Sequence, residues 1–305
     1  MKRILFIVMI FSAIQIQAQE DGKIISREKV VLPPFSQASP VRRYYDSVTY
    51  TAAVNDKSVT IEKLVYMSDG LKIVAYLSTP AVPSKEKYPV IVFNRGSTIR
   101  NDMGVVYTPM FKKFVREGFI VIAPALRESE GGEGKDELGG NDLHDILNVV
   151  PLLKTIALAD VSKLFMLGES RGGIMTYMAI REKFPMKAAA TIGAITDMEM
   201  FIKDTPAVAG VLEKIYPDYA ERKEEILRSR SALSWSEAIN VPALILNGQA
   251  DPQVKVYHAM SLAQKLADQK KPYQLIILEG GNHNLTFGHA NERDKLIVDW
   301  FKKYL

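Results

Sequence analysis

The chain has 305 residues, of which 47% are hydrophobic and 24% are charged, and its formal net charge is +4. Those proportions describe an ordinary globular chain with enough residues to bury one large α/β core. Two positive charges, Lys2 and Arg3, belong to a segment that we expect to be removed, so the near-neutral remainder gives no support for a nucleic-acid partner. The absence of cysteine excludes disulfides, a thiol nucleophile and a thiolate metal site.

Residues 1–18 are predicted to form a secretory signal peptide. Lys2 and Arg3 provide the basic start, residues 4–16 are mostly apolar, and the small Ala18 provides a cleavage position. A membrane anchor is the alternative, but the apolar stretch is shorter than the ~20 residues that a bilayer span needs. We therefore expect an exported protein, periplasmic or secreted, with no stable membrane insertion after cleavage.

The rest of the chain divides into an arm and one main domain. Residues 19–58 form the predicted N-terminal arm, which has three prolines, scattered charges and little periodicity. The main domain is predicted over residues 59–305. It begins with two alternating runs around Asp69 and Gly70, a dipeptide suited to a turn with positive φ, and these runs predict a β-hairpin at the edge of a sheet.

Six apolar runs follow, and helical patterns separate them. Because these runs are apolar throughout, they predict strands that are covered on both faces. The alternation of strand and helix indicates an α/β domain with a mostly parallel central sheet flanked by helices. The runs are "YPVIVFN", "GFIVIAPAL", "KLFMLG", "KAAATIGAI", "VPALILNG" and "YQLIILEGG", and the helices are predicted near residues 109–117, 142–158, 172–184, 256–270 and 291–304.

Residues 196–240 interrupt this alternation after the run "KAAATIGAI". They are too many for a connecting loop of ~2 to 6 residues, and their pattern predicts a small helical insertion. An insertion at the carboxyl end of a strand is a candidate lid over a site there. Its apolar side chains could line a pocket or only attach the insertion to the body: Met198, Met200, Phe201, Val208, Val211, Leu212, Ile215 and Tyr216.

The segment "GESRGG" follows the run "KLFMLG" and precedes a helical pattern. It matches G-x-S-x-G in a strand–turn–helix context, where a serine on a strained turn is held above the sheet. Glycines at 168 and 172 avoid collisions of side chains with the neighbouring strand and helix. Ser170 is therefore the predicted nucleophile, and an ordinary tight turn is the alternative.

The general base should be a histidine shortly after the last strand, because the expected chain order is serine, acid, histidine. His283 in "LEGGNHNL" meets this condition, and His289 is the reserve. His144 precedes the serine and His258 lies in a helical pattern, so we interpret both as surface or helix-face residues.

The acid should follow a strand between the serine and the histidine. Asp251 in "LILNGQADPQV" does so and would orient His283. Asp197 in "GAITDM" is the competitor, although a lone carboxylate there could equally cap the inserted helix.

These residues resemble the catalytic domain of the prolyl oligopeptidase family of serine peptidases, which has the α/β-hydrolase fold. The resemblance extends over residues 60–305 and implies a Ser170–Asp251–His283 triad. Its four segments are similar, in order, to the family's pre-nucleophile, nucleophile, acid and histidine segments: "ALRESEGGEGKDELGGNDLHDILNVV", "GESRGGIMTY", "SALSWSEAINVPALILNGQADPQV" and "EGGNHNL".

Two departures from that family matter. Peptidases of the family usually carry an N-terminal β-propeller, and the residues before the hairpin are too few to form one. The family often has a tyrosine that completes the oxyanion hole, whereas this chain has "VFNRGST" there. We predict the backbone N–H of Arg171 as the first oxyanion donor and the turn of Asn94, Arg95 and Gly96 as the second, through the Asn94 amide or a backbone N–H. A plain glycine-assisted loop is the alternative for that turn.

Other charged segments carry no site by these criteria. "GGEGKD", residues 131–136, is neither a Walker loop nor a dinucleotide fingerprint, and its charges are interpreted as solvated, although the loop could border the site. The cluster of Arg42, Arg43, Tyr44 and Tyr45 is assigned to the surface. No histidine pair has ligand spacing on a helix, so we predict no metal and no cofactor.

We therefore expect an exported serine hydrolase that cleaves ester or amide bonds in a small-molecule or short-peptide substrate. A peptidase-like activity is the first hypothesis, and a carboxylesterase, for example on acylated sugars, is the second. A non-catalytic binding protein on the same fold is the third. The sequence does not predict the oligomeric state.

Overall fold

The computed structural model of the protein describes residues 21–98 and 100–305. The predicted signal peptide lies outside these residues. The central strand, β6 (Ala159–Glu169), contains the continuous apolar run of residues 164–167. Leu164 and Met166 belong to the core on one face of the sheet, while Phe165 and Leu167 belong to the core on the other. Successive side chains of a strand point to opposite faces, so this strand is buried on both, as predicted.

Within the described residues, eight further strands occur: β1 (Ile24–Lys29), β2 (Val59–Ser68), β3 (Leu71–Pro80), β4 (Tyr88–Asn94), β5 (Ile120–Pro124), β7 (Met186–Ile192), β8 (Ala243–Gly248) and β9 (Tyr273–Leu278). With β6 they form one sheet in the order β1-β2-β3-β5-β4-β6-β7-β8-β9. Strands β4 to β9 are parallel, and the pairs β1–β2, β2–β3 and β3–β5 are antiparallel. The predicted mostly parallel sheet is thus confirmed.

Helices cover both faces of the sheet. Side chains of the helices Thr108–Arg116 and Ala290–Lys302 pack in one core, and those of Arg171–Arg181 and Tyr257–Asp268 pack in the other. The α-helices are α1 (Ser47–Asn55), α2 (Met103–Val106), α3 (Thr108–Arg116), α4 (His144–Leu147), α5 (Val149–Lys154), α6 (Arg171–Arg181), α7 (Met198–Asp204), α8 (Ala207–Ile215), α9 (Tyr219–Ser229), α10 (Tyr257–Asp268) and α11 (Ala290–Lys302). Short 3₁₀ helices occur at Phe35–Gln37, Ser39–Arg43, Asn141–Leu143, Ala232–Ala238 and Phe287–His289.

Three predictions about these elements are wrong in detail. The hairpin of β2 and β3 is not the sheet edge, because the arm supplies β1, which pairs outside β2. Strand β9 is not covered on both faces: as the opposite edge strand, it leaves Tyr273 36% exposed. The helix predicted over residues 142–158 is broken into short pieces, since Pro151 has no N–H to bond the preceding turn.

The insertion after β7 is helical, as predicted. Helices α7, α8 and α9 and the 3₁₀ helix Ala232–Ala238 occupy it before the chain enters β8. Within the described residues, no helix is long and apolar enough to cross a membrane.

The parallel strands end at one edge of the sheet. Asn94 at the end of β4 pairs with Gly168, and Glu169 at the end of β6 pairs with Ile192. Gly248 at the end of β8 pairs with Leu278. The loops that follow these strands therefore meet at the same edge, which is where ligands bind in open α/β sheets.

Candidate active site

Ser170 lies in the turn between β6 and α6 with φ 56° and ψ −119°. Such a positive φ is strained for a residue with a side chain and marks a backbone that its surroundings hold in place. The flanking glycines are required by close packing. A Cβ on Gly172 would lie 1.9 Å from the backbone oxygen of Asn94, and one on Gly168 would lie 2.3 Å from the backbone oxygen of Gly172.

Asp251 and His283 are joined by a hydrogen bond at the carboxyl ends of β8 and β9. The distance from Asp251 Oδ2 to His283 Nδ1 is 2.8 Å, and both side chains are buried. The other carboxylate oxygen, Oδ1, accepts hydrogen bonds from the backbone N–H groups of Gln253 and Val254 at 2.8 and 2.9 Å. These bonds fix the carboxylate so that Oδ2 faces the imidazole.

Ser170 and His283 line the same cavity, which has a volume of about 580 Å³ and is called the catalytic cavity here. Within the described residues Ser170 makes no side-chain hydrogen bond, and none joins it to the imidazole. The structure thus brings the predicted acid and base into contact and places the predicted nucleophile in the cavity beside them.

The competing residues have other partners. Asp197 is the N-cap of α7 and accepts a hydrogen bond from the Met200 N–H at 2.8 Å, which is the alternative role foreseen for it. His289 Nε2 is 3.0 Å from the Glu279 carbonyl oxygen.

The other two histidines differ from each other. His144 is on the surface, 2.7 Å from Asp69. His258 is fully buried in α10, so of the two interpretations given for it the helix-face residue is right and the surface residue is wrong. Its ring packs near Phe201 and its Nδ1 faces Thr196, and burial lowers the pKa of the imidazole.

The predicted oxyanion turn lies against the nucleophile, but its side chains point elsewhere. The amide of Asn94 is buried and donates to Thr176 Oγ1 at 2.9 Å, so of the two predicted donors of this turn, the Asn94 amide and a backbone N–H, the amide already has another partner. Gly96 lines the cavity, and a Cβ there would lie 3.1 Å from Ser170 Cβ. The buried Arg95 guanidinium donates to the carbonyl oxygens of Ala125, Gly96 and Ser97 at 2.8, 3.1 and 3.0 Å.

Arg95 is therefore a positioning residue for the turn. Because the Asn94 amide is bonded to Thr176, the backbone N–H groups of the turn are the donors that remain from the prediction. The backbone N–H of Arg171 is in the first turn of α6, where N–H groups lack partners within the helix.

The Arg171 side chain has a role that the sequence did not indicate. Its buried guanidinium donates to Asp136 at 2.5 Å, to Asp142 and to the carbonyl oxygen of Ser97 at 3.0 Å. Asp136 is the last residue of "GGEGKD", so the interpretation of that segment as wholly solvated is wrong at this position. The segment borders the site because the charge of Arg171 requires buried carboxylates as partners.

The catalytic cavity has two unlike walls. One wall is apolar and contains Leu138, Ile174, Ile195 and four insertion residues: Met198, Phe201, Val208 and Val211. The other candidates in the insertion, Met200, Leu212, Ile215 and Tyr216, do not line it.

The second wall contains Arg43, Tyr44, Ser97, Thr98 and Arg100. The assignment of the Arg42–Tyr45 cluster to the surface is therefore wrong for Arg43 and Tyr44, which border the cavity, and for Tyr45, which is buried. The arm folds back along the body of the domain and brings these residues to the site.

Glu169 is a buried carboxylic acid directly before the nucleophile. It lines the catalytic cavity, and the Tyr107 hydroxyl donates to its Oε1 at 3.2 Å. Burial raises the pKa of Glu169 above its usual value, and the nearby His283 and Arg293 oppose this effect. Glu169 could have been predicted from its position in G-x-S-x-G, because it lies between a buried strand and the serine.

No group of three His, Asp or Glu side chains in residues 21–98 and 100–305 is arranged to hold a metal ion. The chemistry that the site offers is that of a serine, an imidazole paired with a carboxylate, and backbone N–H groups.

Comparisons with known proteins agree with this architecture. The model of the prolyl oligopeptidase family matches residues 108–305. The uncharacterized peptidase YtmA of Bacillus subtilis (strain 168) is 26% identical over 245 residues, which cover 80% of this chain and 94% of YtmA. The uncharacterized peptidase YuxL of the same organism is 26% identical over 275 residues, with 83% of this chain and 40% of YuxL covered.

Solved structures show the same fold at lower identity. A Mycobacterium tuberculosis puromycin-hydrolyzing peptidase superposes with a TM-score of 0.64 and 24% identity, covering 77% of this chain and 38% of that one. The Pyrococcus horikoshii acylaminoacyl peptidase superposes with a TM-score of 0.69 and 20% identity, covering 86% of this chain and 44% of that one. This chain thus spans about two fifths of the length of these peptidases.

The sheet, its flanking helices and the serine turn define an α/β-hydrolase fold. Because the family model matches about two thirds of its residues, the chain belongs to the prolyl oligopeptidase family. It is a serine hydrolase.

Proposed function

We propose that the protein cleaves amide or ester bonds of small substrates through a triad of Ser170, His283 and Asp251. The observation that supports this proposal is the 2.8 Å hydrogen bond between Asp251 and His283, in the cavity that also holds the strained Ser170.

In the proposed mechanism, Ser170 Oγ attacks the substrate carbonyl while His283 Nε2 accepts the hydroxyl proton. Asp251 accepts a hydrogen bond from Nδ1–H, which keeps Nε2 free of its own proton and stabilises the imidazolium. The tetrahedral oxyanion is bound by the N–H of Arg171 and by a backbone N–H of the Asn94–Gly96 turn. The imidazolium then protonates the leaving group, and water releases the acyl-enzyme by the same steps.

A peptidase-like activity is the preferred form of this proposal. Relatives of the chain are named peptidases, and the apolar wall formed by Ile174, Ile195 and Phe201 suits an apolar side chain of a short peptide. A panel of aminoacyl anilides and p-nitrophenyl esters separates this activity from a carboxylesterase, which would cleave the esters and leave the anilides intact.

Export is part of the proposal and rests on residues 1–18. Their basic start, apolar stretch and small residue at position 18 are the pattern of a cleaved signal. Expression of the full chain with a C-terminal tag, followed by fractionation and N-terminal sequencing, tests it. Recovery of the uncleaved chain in the cytosol would contradict it.

A fluorophosphonate probe gives the direct test of the nucleophile. We expect a covalent adduct that mass spectrometry of peptides assigns to Ser170, and no adduct in Ser170→Ala. Labelling at another residue, or none in folded protein, would contradict the proposal. Circular dichroism of the variant controls for folding.

A further inference from the structure

A second cavity, here called the arm cavity, opens beside the catalytic cavity. It has a volume of about 560 Å³ and shares Arg43, Tyr44, Ser97 and Arg100 with the catalytic cavity. Its remaining lining comes from Ser39, Pro40, Asn101 and Asp102, and no described residue of the insertion lines it. A substrate that extends from Ser170 past this shared wall enters a polar space, unlike the apolar space under the insertion.

Arg100 is not available to bind a ligand in this space. Its Nε and Nη2 donate to the Asp102 carboxylate at 2.7 and 2.9 Å, and its Nη1 donates to the Tyr44 hydroxyl at 3.3 Å. The guanidinium also lies over the rings of Tyr44 and Tyr107. Its charge is thus balanced by Asp102, and its orientation is fixed.

Arg43 is different. It ends the 3₁₀ helix Ser39–Arg43, its side chain is exposed at the shared wall, and it makes no hydrogen bond or ion pair within residues 21–98 and 100–305. All five of its guanidinium N–H donors are therefore without a partner in that part of the chain. The neighbouring Arg42 lines neither cavity: it donates to the Ser36 carbonyl oxygen at 3.2 Å and lies over the Phe35 ring.

The cavity also holds uncharged donors. Asn101 Oδ1 accepts a hydrogen bond from the Glu130 N–H at 2.8 Å, so its Nδ2 group is the part left to donate. The Ser39 hydroxyl lies in the same lining. With Arg100 and Asp102 compensating each other, the arm cavity carries one unbalanced positive charge, that of Arg43, and a ligand of opposite charge is the one that it complements.

We propose that the arm cavity binds a carboxylate of the substrate through Arg43. This inference rests on the proposed function of Ser170, because it defines which substrates reach that serine. A planar carboxylate is the acceptor that the guanidinium fork matches with two parallel hydrogen bonds. The substrates are short compounds with an apolar group beside the scissile carbonyl and a carboxylate a few bonds away.

The carboxylate could belong to the leaving group, as in a peptide with a free carboxyl terminus, or to the acyl part, as in an N-succinyl amino acid. Two matched pairs distinguish these sources: Ala-Phe-Gly against Ala-Phe-Gly amide, and succinyl-Phe p-nitroanilide against acetyl-Phe p-nitroanilide. In one of the two pairs, kcat/KM of the charged member should exceed that of the neutral member by about tenfold, the size of a charge-assisted hydrogen bond.

Arg43→Gln should reduce this ratio to near one, while the matched control Arg42→Gln should leave it as in the wild type. Because the ratio is taken within each variant, a general loss of activity cancels. Added salt should also lower the ratio in the wild type, since Arg43 is exposed to solvent.

The outcomes separate the two proposals. Ser170-dependent hydrolysis without a preference for either charged substrate, or with a preference that survives Arg43→Gln, overturns the carboxylate site alone. Hydrolysis that persists in Ser170→Ala, or its absence for every substrate, overturns the proposed function and with it this inference. A ratio that falls equally in Arg42→Gln would assign the effect to the overall charge of the arm and would also overturn the site.

Discussion

Replacing Asp251 with asparagine should invert the hydrogen bond that orients His283. The two backbone N–H groups of Gln253 and Val254 both donate to Oδ1. An asparagine must keep its carbonyl oxygen at that position, because an NH₂ group there would face two donors. Its NH₂ group then takes the place of Oδ2 and donates to His283 Nδ1. The imidazole is left with its proton on Nε2, where it cannot accept the proton of Ser170.

This geometry sets the size of the effect. The wrong tautomer should lower kcat by about 10⁴-fold, equivalent to about 5 kcal/mol of activation free energy. The fold should change little, since the asparagine preserves both backbone hydrogen bonds and the volume of the side chain. The loss should therefore appear in kcat without a matching fall in the midpoint of denaturant unfolding.

The assay is hydrolysis of a p-nitrophenyl ester with kcat and KM measured separately, alongside urea denaturation of each protein. Asp197→Asn is the matched control, because an asparagine still caps α7 and we expect wild-type kcat. Activity of Asp251→Asn within a factor of about ten of the wild type would refute the reasoning. An equal loss in Asp197→Asn would move the acid to that residue.

Gly172→Ala should lower the free energy of unfolding in urea by at least about 3 kcal/mol, because its Cβ would lie 1.9 Å from a backbone oxygen of β4. Gly210→Ala is the control: its Cβ would contact no atom within 4 Å, so it should not destabilise α8. Phe201→Ala should change the ratio of kcat/KM between esters of short and long acyl chains. Tyr216→Phe should leave this ratio unchanged, because Phe201 lines the catalytic cavity and Tyr216 does not. A uniform change across esters would contradict this. Burial raises the pKa of Glu169, so the folded state holds its proton more tightly and loses stability as pH rises through that pKa. Glu169→Gln should therefore raise Tm at about pH 8, and the rise should be much smaller at about pH 4. A larger rise in Tm at about pH 4 than at about pH 8 would contradict a raised pKa for Glu169.

Much of the sheet and the candidate triad could be predicted because each signal is local. Residues 164–167 of β6 are all apolar, and Ser170 follows the strand between glycines whose spacing has a steric cause. Asp251 and His283 each follow a strand at the same edge of the sheet, so their order in the chain was enough to predict them as acid and base.

The features that were missed depend on contacts between distant segments. Strand β1 was not predicted because an edge strand exposes most of its residues and shows no periodic burial. The Asn94 amide and a backbone N–H of its turn were both offered as oxyanion donors, and the choice depends on Thr176, the partner of the amide, which is 82 residues away. Arg43 resembles any exposed arginine until the arm is folded against the body and brings it to the cavity.

Each of the two unlike walls of the catalytic cavity takes part of its lining from one uninterrupted piece of chain. Arg43 and Tyr44 belong to the arm, and Met198, Phe201, Val208 and Val211 belong to the insertion. The arm contributes only the outermost strand to the sheet, and the insertion contributes none. Exchange of either piece between relatives, by recombination in nature or by grafting in the laboratory, would therefore alter substrate preference one wall at a time while the central strands and the reacting residues stay as they are.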